Sequence, residues 1–357
     1  MSSASGPNAR PRQVDRQGPP PMPAGVSWRI RPVLAADLPR LQPWLPAGAD
    51  QHLPEPSHSE RWLLAEMALT AETLSLGESG QADDGRPQPM ACLRMRPVMG
   101  RERLRHWYHV GCVVHAAKAL DLFHQQNTLL LGNDHTGAAE LADVAWNPAA
   151  TLAMQAAALQ HLLRSALLLM ARQRAAVAPQ LIVELPGQRD AAGQSPFWQG
   201  LGRHFYAGDL AQAAQRCGPA WRSHVAALLP RQPIYVSFLP PAAQAAIAQV
   251  PPATRLLMAA LTAEGLRYGH HVTIDDAGPV FEARIDTLPA VLAARRRALV
   301  TGNVRAGDGP AHWLVASEPG AGDQVLALKA RASSPQTLVV PPELARGAGW
   351  AVPLSGE

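Results

Sequence analysis

The chain has 357 residues, is 47% hydrophobic and 17% charged, and carries a net charge of +4. That apolar content suffices for a packed core, which excludes disorder throughout, and the length allows one large or two ordinary domains. Arg10, Arg12 and Arg16 against Asp15 account for +2 of the charge in the first 27 residues, so the +2 left to the remainder is too little for a nucleic-acid footprint.

Residues 1–27 hold six prolines and almost no large apolar side chain, so they are predicted to be a disordered tail. They contain no apolar core of a secretory signal, and a cytoplasmic location is expected. Trp28 to Val33 alternates as a strand, and Asp37 stands where it would cap a short helix with Pro39 in its first turn. The chain ahead of the polar stretch Glu78 to Pro89 reads as helical, and Met90 to Met95 reads as a strand after a hairpin-like loop. Further strands are predicted over Trp107 to His115, Thr128 to Leu131 and Leu141 to Trp146.

Ala149 to Gln173 is alanine- and leucine-rich with apolar residues on most faces, the pattern of a long, largely buried helix. Its longest apolar stretch, Leu162 to Ala171, is interrupted by Arg164 and falls short of the roughly 20 residues a bilayer span needs, so no membrane crossing is expected. Leu181 to Leu185 gives another strand, and Ser195 and Pro196 open a second helix with aromatic packing from Phe197 and Trp198. After about residue 287 the short apolar runs His312 to Ala316, Val325 to Leu328 and Thr337 to Val340 alternate with Gly- and Pro-rich turns, which reads as a small β-rich appendage. Arg295 to Arg297 reads as a solvated face. The expected division is therefore a tail (1–27), an α+β domain with a mixed sheet flanked by helices (28–286) and a β-rich C-terminal region (287–357). The three cysteines, Cys92, Cys112 and Cys217, are widely spaced without a CxxC pair, which argues against a disulfide framework and against a zinc site; no metal is expected, and Cys112 reads as a small core residue.

Four segments, in order, carry a resemblance. They are Val110-Gly111-Cys112-Val113-Val114-His115-Ala116, Gly132-Asn133-Asp134-His135-Thr136-Gly137 continuing through Glu140-Leu141, Gly193-Gln194-Ser195-Pro196-Phe197-Trp198 continuing to Phe205, and the stretch from Pro230 through Gly265-Leu266-Arg267-Tyr268 to Asp276-Ala277-Gly278-Pro279. In this order and spacing the chain resembles the arginine N-succinyltransferase family. The resemblance implies a GNAT-like acyl-CoA N-acyltransferase sheet that splays to admit coenzyme A, succinyl-CoA as co-substrate, and transfer of succinyl to the α-amino group of arginine or ornithine in arginine catabolism. It also implies a homo-oligomer or a paralogous subunit as partner. The family's succinyl-CoA contact falls on Val144, on the strand Leu141 to Trp146, where a backbone N–H can stabilise the thioester oxygen as it gains charge.

Two departures stand beside it. The stretch Asn147 to Ala158, where the family has a glycine-rich loop, contains neither glycine nor a basic residue; alanine there favours continuous helix over a phosphate cradle. The proton-donor histidine of the family's G-Q-V-H-P motif corresponds to Pro251 in Ala248-Gln249-Val250-Pro251-Pro252, so the catalytic group is unknown, with His270 and His271 as neighbours able to take its place. Candidate substrate residues are Asp134 and Glu140, as carboxylate partners of a guanidinium, and Arg203, as partner of a succinyl carboxylate. A turn role for Asn133, Asp134 and Thr136, structural roles for His115 and His135, and a surface ion pair for Arg203 are the alternatives. At the level of function the alternatives are a catalytically impaired family member acting as a binding or regulatory subunit, and an N-acyltransferase with a different donor or acceptor.

Overall fold

The computed structural model describes residues 26–45, 60–69, 86–100, 103–302, 312–316, 318, 323–342, 345 and 347–354. Residues 1–25 of the predicted tail lie outside them. The first strand, β1 (Val26–Pro32), begins two residues before the predicted start. Asp37 precedes the short helix α1 (Leu38–Leu41) but does not cap it: its carboxylate accepts from the Leu34 N–H at 2.8 Å and pairs with Arg31 at 2.7 Å.

The segment read as helical is, where described, a strand, β2 (Arg61–Leu69). It lies antiparallel between β1 and β3 (Gln88–Arg96), and Trp62 to Glu66 are buried without a break. A central strand buried on both faces loses the alternation that identifies strands, and its Leu, Ala, Glu and Met are good helix formers, so tertiary pairing overrides local propensity here.

Next come β4 (Trp107–Ala117), β5 (Leu122–Gly132) and β6 (Ala139–Trp146), followed by the helix α2 (Leu152–Arg172). The helix starts three residues later than predicted. Asn147 accepts from the Ala149 N–H at 3.0 Å and closes a turn, and Thr151 then caps the helix by accepting from Met154 N–H at 3.4 Å. Buried residues run from Ala157 to Arg172 with only Gln160 breaking the series. Among the described residues α2 is the one helix long and apolar enough to cross a membrane, and 67% of its apolar window is buried within the protein, as befits a core helix. Its buried His161 stacks on Trp28 at 4.8 Å, and its buried Arg164 pairs with Glu264 at 3.1 Å.

The chain continues through β7 (Gln180–Glu184), α3 (Pro196–Gly200), α4 (Leu210–Cys217), α5 (Trp221–Ala226), β8 (Ile234–Tyr235), α6 (Pro241–Ala246), α7 (Arg255–Ala263), β9 (Arg267–Thr273), β10 (Pro279–Arg284) and α8 (Pro289–Ala293). Ser195 caps α3 as expected, accepting from the Trp198 N–H at 3.1 Å. The C-terminal strands are β11 (Arg295–Thr301), β12 (His312–Ala316), β13 (Val325–Lys329), β14 (Arg331–Ser334), β15 (Thr337–Val340) and β16 (Ala348–Pro353).

Among the described residues the strands form one mixed sheet in the order β14-β15-β11-β16-β12-β13-β1-β2-β3-β6-β7-β10-β9-β4-β5-β8. The C-terminal strands join it where β13 pairs antiparallel with β1, Trp28 opposite Ala327. The main core lies between the sheet and α2 and includes Leu63, Leu93, Leu141, Leu181, Val183 and Phe281 together with Leu314, Val325 and Val352 from the C-terminal strands. A second core packs Phe197, Trp198 and Val225 of α3 and α5 on Tyr108, Leu129 and Val272 of β4, β5 and β9. Arg295 to Arg297, read as a solvated face, opens β11; Arg297 stacks over Trp313 at 4.9 Å and donates to the Ser334 carbonyl at 2.8 Å.

Candidate functional site

The parallel pair β6 and β7 stays together for two residues only, Ala139 opposite Leu181 and Glu140 opposite Ile182. On its other edge β6 pairs with β3 through a bulge: Cys92 faces Ala145 and Arg94 faces Ala142, so Leu93 alone opposes Asp143 and Val144. Asp143 adopts φ +50°, a conformation that a bulge imposes on a non-glycine residue. Val144 therefore has a register partner in neither neighbour. It is half-buried at the point where the sheet opens. Asp143 is held by Arg94 (Nε to Oδ2 2.7 Å), whose guanidinium also lies over the Trp62 ring. Burial pushes the Asp143 carboxyl up against the opposing pull of Arg94.

At the closed end of this opening lies a string of ion pairs. Buried Glu140 accepts from Arg96 and Arg105, each at 2.6 Å. Arg105 continues to Glu184 at 2.5 Å, which also accepts from the Trp107 indole at 2.6 Å and from Arg222 at 3.3 Å. Arg222 reaches Asp275 at 3.2 Å. Burial raises the Glu140 carboxyl, but Arg105 and Arg96 outweigh it and hold the group down at about 2. Both oxygens of Glu140 are thus engaged by the protein's own arginines.

Asp134 is in the turn that precedes β6, as its motif suggested: Thr136 N–H donates to the Asn133 carbonyl at 2.9 Å and Gly137 takes φ +90°. Its carboxylate is exposed and meets His271 Nε2 at 3.3 Å. His135, next in the turn, is buried against the edge of Trp107 and lies 4.3 Å, ring to ring, from His271. Burial, then the neighbouring His271, push His135 down to about 4, so the ring is neutral at neutral pH. Glu282 of β10 completes the group, 3.7 Å from His135 Nδ1. The structure thus joins Asp134, His135 and His271 with Glu282, a residue that sequence reasoning did not single out.

The other candidates stand apart from that group in what they contact. Arg203 is exposed on the turn Gly202–His204 and donates to Gln199 at 2.7 Å. His115 is exposed near the Tyr235 ring, and His270 is exposed at φ +58°. Cys112 is exposed and not a core residue; Cys92 is the buried one, its thiol pushed up to about 12 by burial. Pro251 precedes the helical turn Pro252–Thr254 and accepts from the Thr254 N–H at 3.0 Å, the job of a backbone carbonyl that needs no side chain.

A family model described as arginine N-succinyltransferase beta subunit matches residues 84–290, more than half of the chain. The chain belongs to that family. Arginine N-succinyltransferases of Salmonella arizonae, Salmonella paratyphi B and Salmonella newport are each 38% identical to it over 211 residues, 59% of this chain and 60% of theirs. The match thus spans 60% of the length of these relatives. Among solved structures, an arginine/ornithine succinyltransferase subunit AI from Pseudomonas aeruginosa superposes with a TM-score of 0.69 at 21% identity, covering 93% of this chain and all of that one, a likeness of fold. The segment matched to the arginine N-succinyltransferase family contains the β6 bulge, the ion-pair string and the group around His135.

Proposed function

We propose that this member of the arginine N-succinyltransferase family is an acyltransferase with a GNAT-like sheet, taking succinyl-CoA as donor and the α-amino group of arginine or ornithine as acceptor. The observation that carries the reading is the divergence of β6 from β7 after two paired residues, with the Asp143–Val144 bulge at the opening. A parallel pair that separates leaves a gap between strands, and this reading assigns that gap to the pantetheine arm. In the reaction the ammonium first loses one proton to solvent, the free amine nitrogen forms a bond to the thioester carbonyl carbon, charge collects on its oxygen, and the C–S bond breaks as the thiolate leaves and takes up the second nitrogen proton. The Val144 backbone N–H is the oxyanion donor in this scheme, and Asp134, with an exposed carboxylate, is the guanidinium partner. Glu140 serves by holding Arg96 and Arg105. Arg203 remains the proposed partner of the succinyl carboxylate. The setting we infer is cytoplasmic arginine catabolism.

Two observations favour a second reading, in which the chain is a catalytically impaired subunit working beside a paralogue. Pro251 carries no proton at the family's histidine position, and the turn before α2 has its carbonyls of Asn147, Pro148 and Ala150 tied by Gln155 Nε2 rather than a glycine-rich anion cradle. Calorimetric titration with succinyl-CoA and, separately, arginine tests both readings. Acyl transfer requires both ligands to bind and free thiol to appear when they are combined, and Pro251→His is expected to raise turnover on the order of 10²-fold. Binding of arginine alone, with no thiol release in either protein, would establish the subunit reading. Binding of neither would overturn both.

A further inference from the structure

His135, His271 and Glu282 each offer a ligand atom, and these atoms lie within 4.8 Å of one another. The hydrogen bonds around them are incomplete in an informative way. His271 Nδ1 is 2.8 Å from the Gly269 carbonyl, which can only accept, so Nδ1 is the donor there and Nε2 is the atom the ring has to offer a ligand. Nε2 faces a carboxylate oxygen of Asp134 at 3.3 Å. His135 Nδ1 and Glu282 Oε2, at 3.7 Å, are too far apart for a hydrogen bond, and His135 Nε2, in a ring only 5% exposed, is buried without a partner among the described residues.

We propose that His135, His271 and Glu282 bind one divalent transition-metal ion of the zinc class, with Oδ2 of Asp134, the oxygen that faces His271, as a fourth donor and Oδ1 left to the guanidinium. Two imidazoles with carboxylates suit zinc, cobalt or nickel rather than magnesium or calcium, which take oxygen. The Nδ1–H bond of His271 to a backbone carbonyl is the outer contact that fixes the tautomer and aims Nε2 of a metal-ligating histidine. The local backbone provides the arrangement. β9 and β10 change register between Val280 and Phe281, and the extra residues, Gly269 and His270 at φ +58°, turn His271 inward. A Cβ on Gly269 would stand 2.3 Å from Glu282 Cδ, so glycine there admits the carboxylate. Tetrahedral coordination at about 2.1 Å separates ligand atoms by about 3.4 Å, so side-chain rotations of an ångström or so bring His135, His271 and Glu282 together on one ion, with the exposed Asp134 carboxylate swinging in to join them. Glu282 pairs with Ile182, which pairs with Glu140 at the last rung before β6 and β7 part, so the ion would stand at the closed end of that opening.

The test uses the full chain without a polyhistidine tag, stripped with chelator and titrated with zinc chloride by calorimetry. One equivalent should bind and survive desalting. His271→Gln and Glu282→Gln should each weaken binding by at least on the order of 10-fold, and so should Asp134→Asn, whose exposed position makes misfolding no explanation of the loss. Cys217→Ser should change nothing, and the cobalt(II) form should lack a thiolate charge-transfer band. Absence of stoichiometric zinc would overturn the proposal. Unchanged affinity in Asp134→Asn, His271→Gln and Glu282→Gln would overturn it as well.

Discussion

Glu140 shows how a buried carboxylate is decided by its neighbours. Replacing it with Gln leaves Arg96 and Arg105 without their shared counter-charge, and loss of one partner from a buried pair costs about 3–5 kcal/mol. Glu140→Gln is therefore expected to lose about that much in urea unfolding at pH 7. The folded value near 2 lies below the ordinary carboxylate value, so the contribution is complete above pH about 4.5 and is lost as pH falls toward 2; the gap between parent and variant should narrow over that window. His161 has the same sign with a different range. Burial pushes it down to about 4, only partly opposed by its 2.7 Å contact with the Ala157 carbonyl, so protons favour the unfolded chain and stability falls from pH 6.5 toward 4. Between pH 7 and pH 5 the parent should lose about 2 kcal/mol more than His161→Leu. Unequal pH slopes are the readout, whatever the variant's absolute stability.

At the level of elements, what was legible in the sequence followed burial on one face or signals at helix ends. β4 and β6 were found within two residues of their bounds from their apolar runs, β5 only over its apolar end Thr128 to Leu131 because Leu122 to Gln125 are exposed, and Ser195 with Pro196 marked α3. β2 was missed because both its faces are buried. α2 was found, but the predicted helix took in Ala149, Ala150 and Thr151 on propensity, when the Asn147 side chain holds Ala149 in a turn and Thr151 is the cap. The turn bearing Asp134 was legible as a motif; its partners His271 and Glu282 were not, because a bulge in β9 brings them there from more than 130 residues away. Glu140 looked available for the same reason: nothing local announces Arg96 or Arg105. The Leu185–Gly187 and Asp276–Gly278 segments illustrate the backbone side of this. A Cβ on Gly278 would lie 2.0 Å from the Leu185 carbonyl oxygen and 2.6 Å from Gly187 N, backbone atoms that no rotamer change can move. Gly278→Ala should destabilise by more than about 3 kcal/mol, measured as a shift of the denaturation midpoint, whereas Gly193→Ala, with nothing within 4 Å, meets no clash and only its φ of +75° opposes it.

For the whole molecule, the C-terminal strands matter through what they cover. β13 closes the outer edge of β1, and Leu314, Val325 and Val352 lie in the core under α2. Asp323 pairs with Arg61 at 3.0 Å and also with Arg172, and Arg164 donates to the Pro353 carbonyl at 3.0 Å. We propose that 28–286 does not fold alone: a chain ending at residue 286 should be insoluble or bind a hydrophobic dye, and recovery of a cooperative melt from it would show the C-terminal region to be a dispensable addition. The pairing of Trp28 with Ala327 also has a consequence for biosynthesis. The two partners are about 300 residues apart, and at typical elongation rates tens of seconds separate their emergence from the ribosome. Through that interval β1 has β2 on one side and an open row of backbone amides and carbonyls on the other, the kind of edge that recruits a stray strand. Yield in the cell should accordingly respond to chaperone supply and to growth temperature more steeply than the melting temperature of the finished protein would suggest.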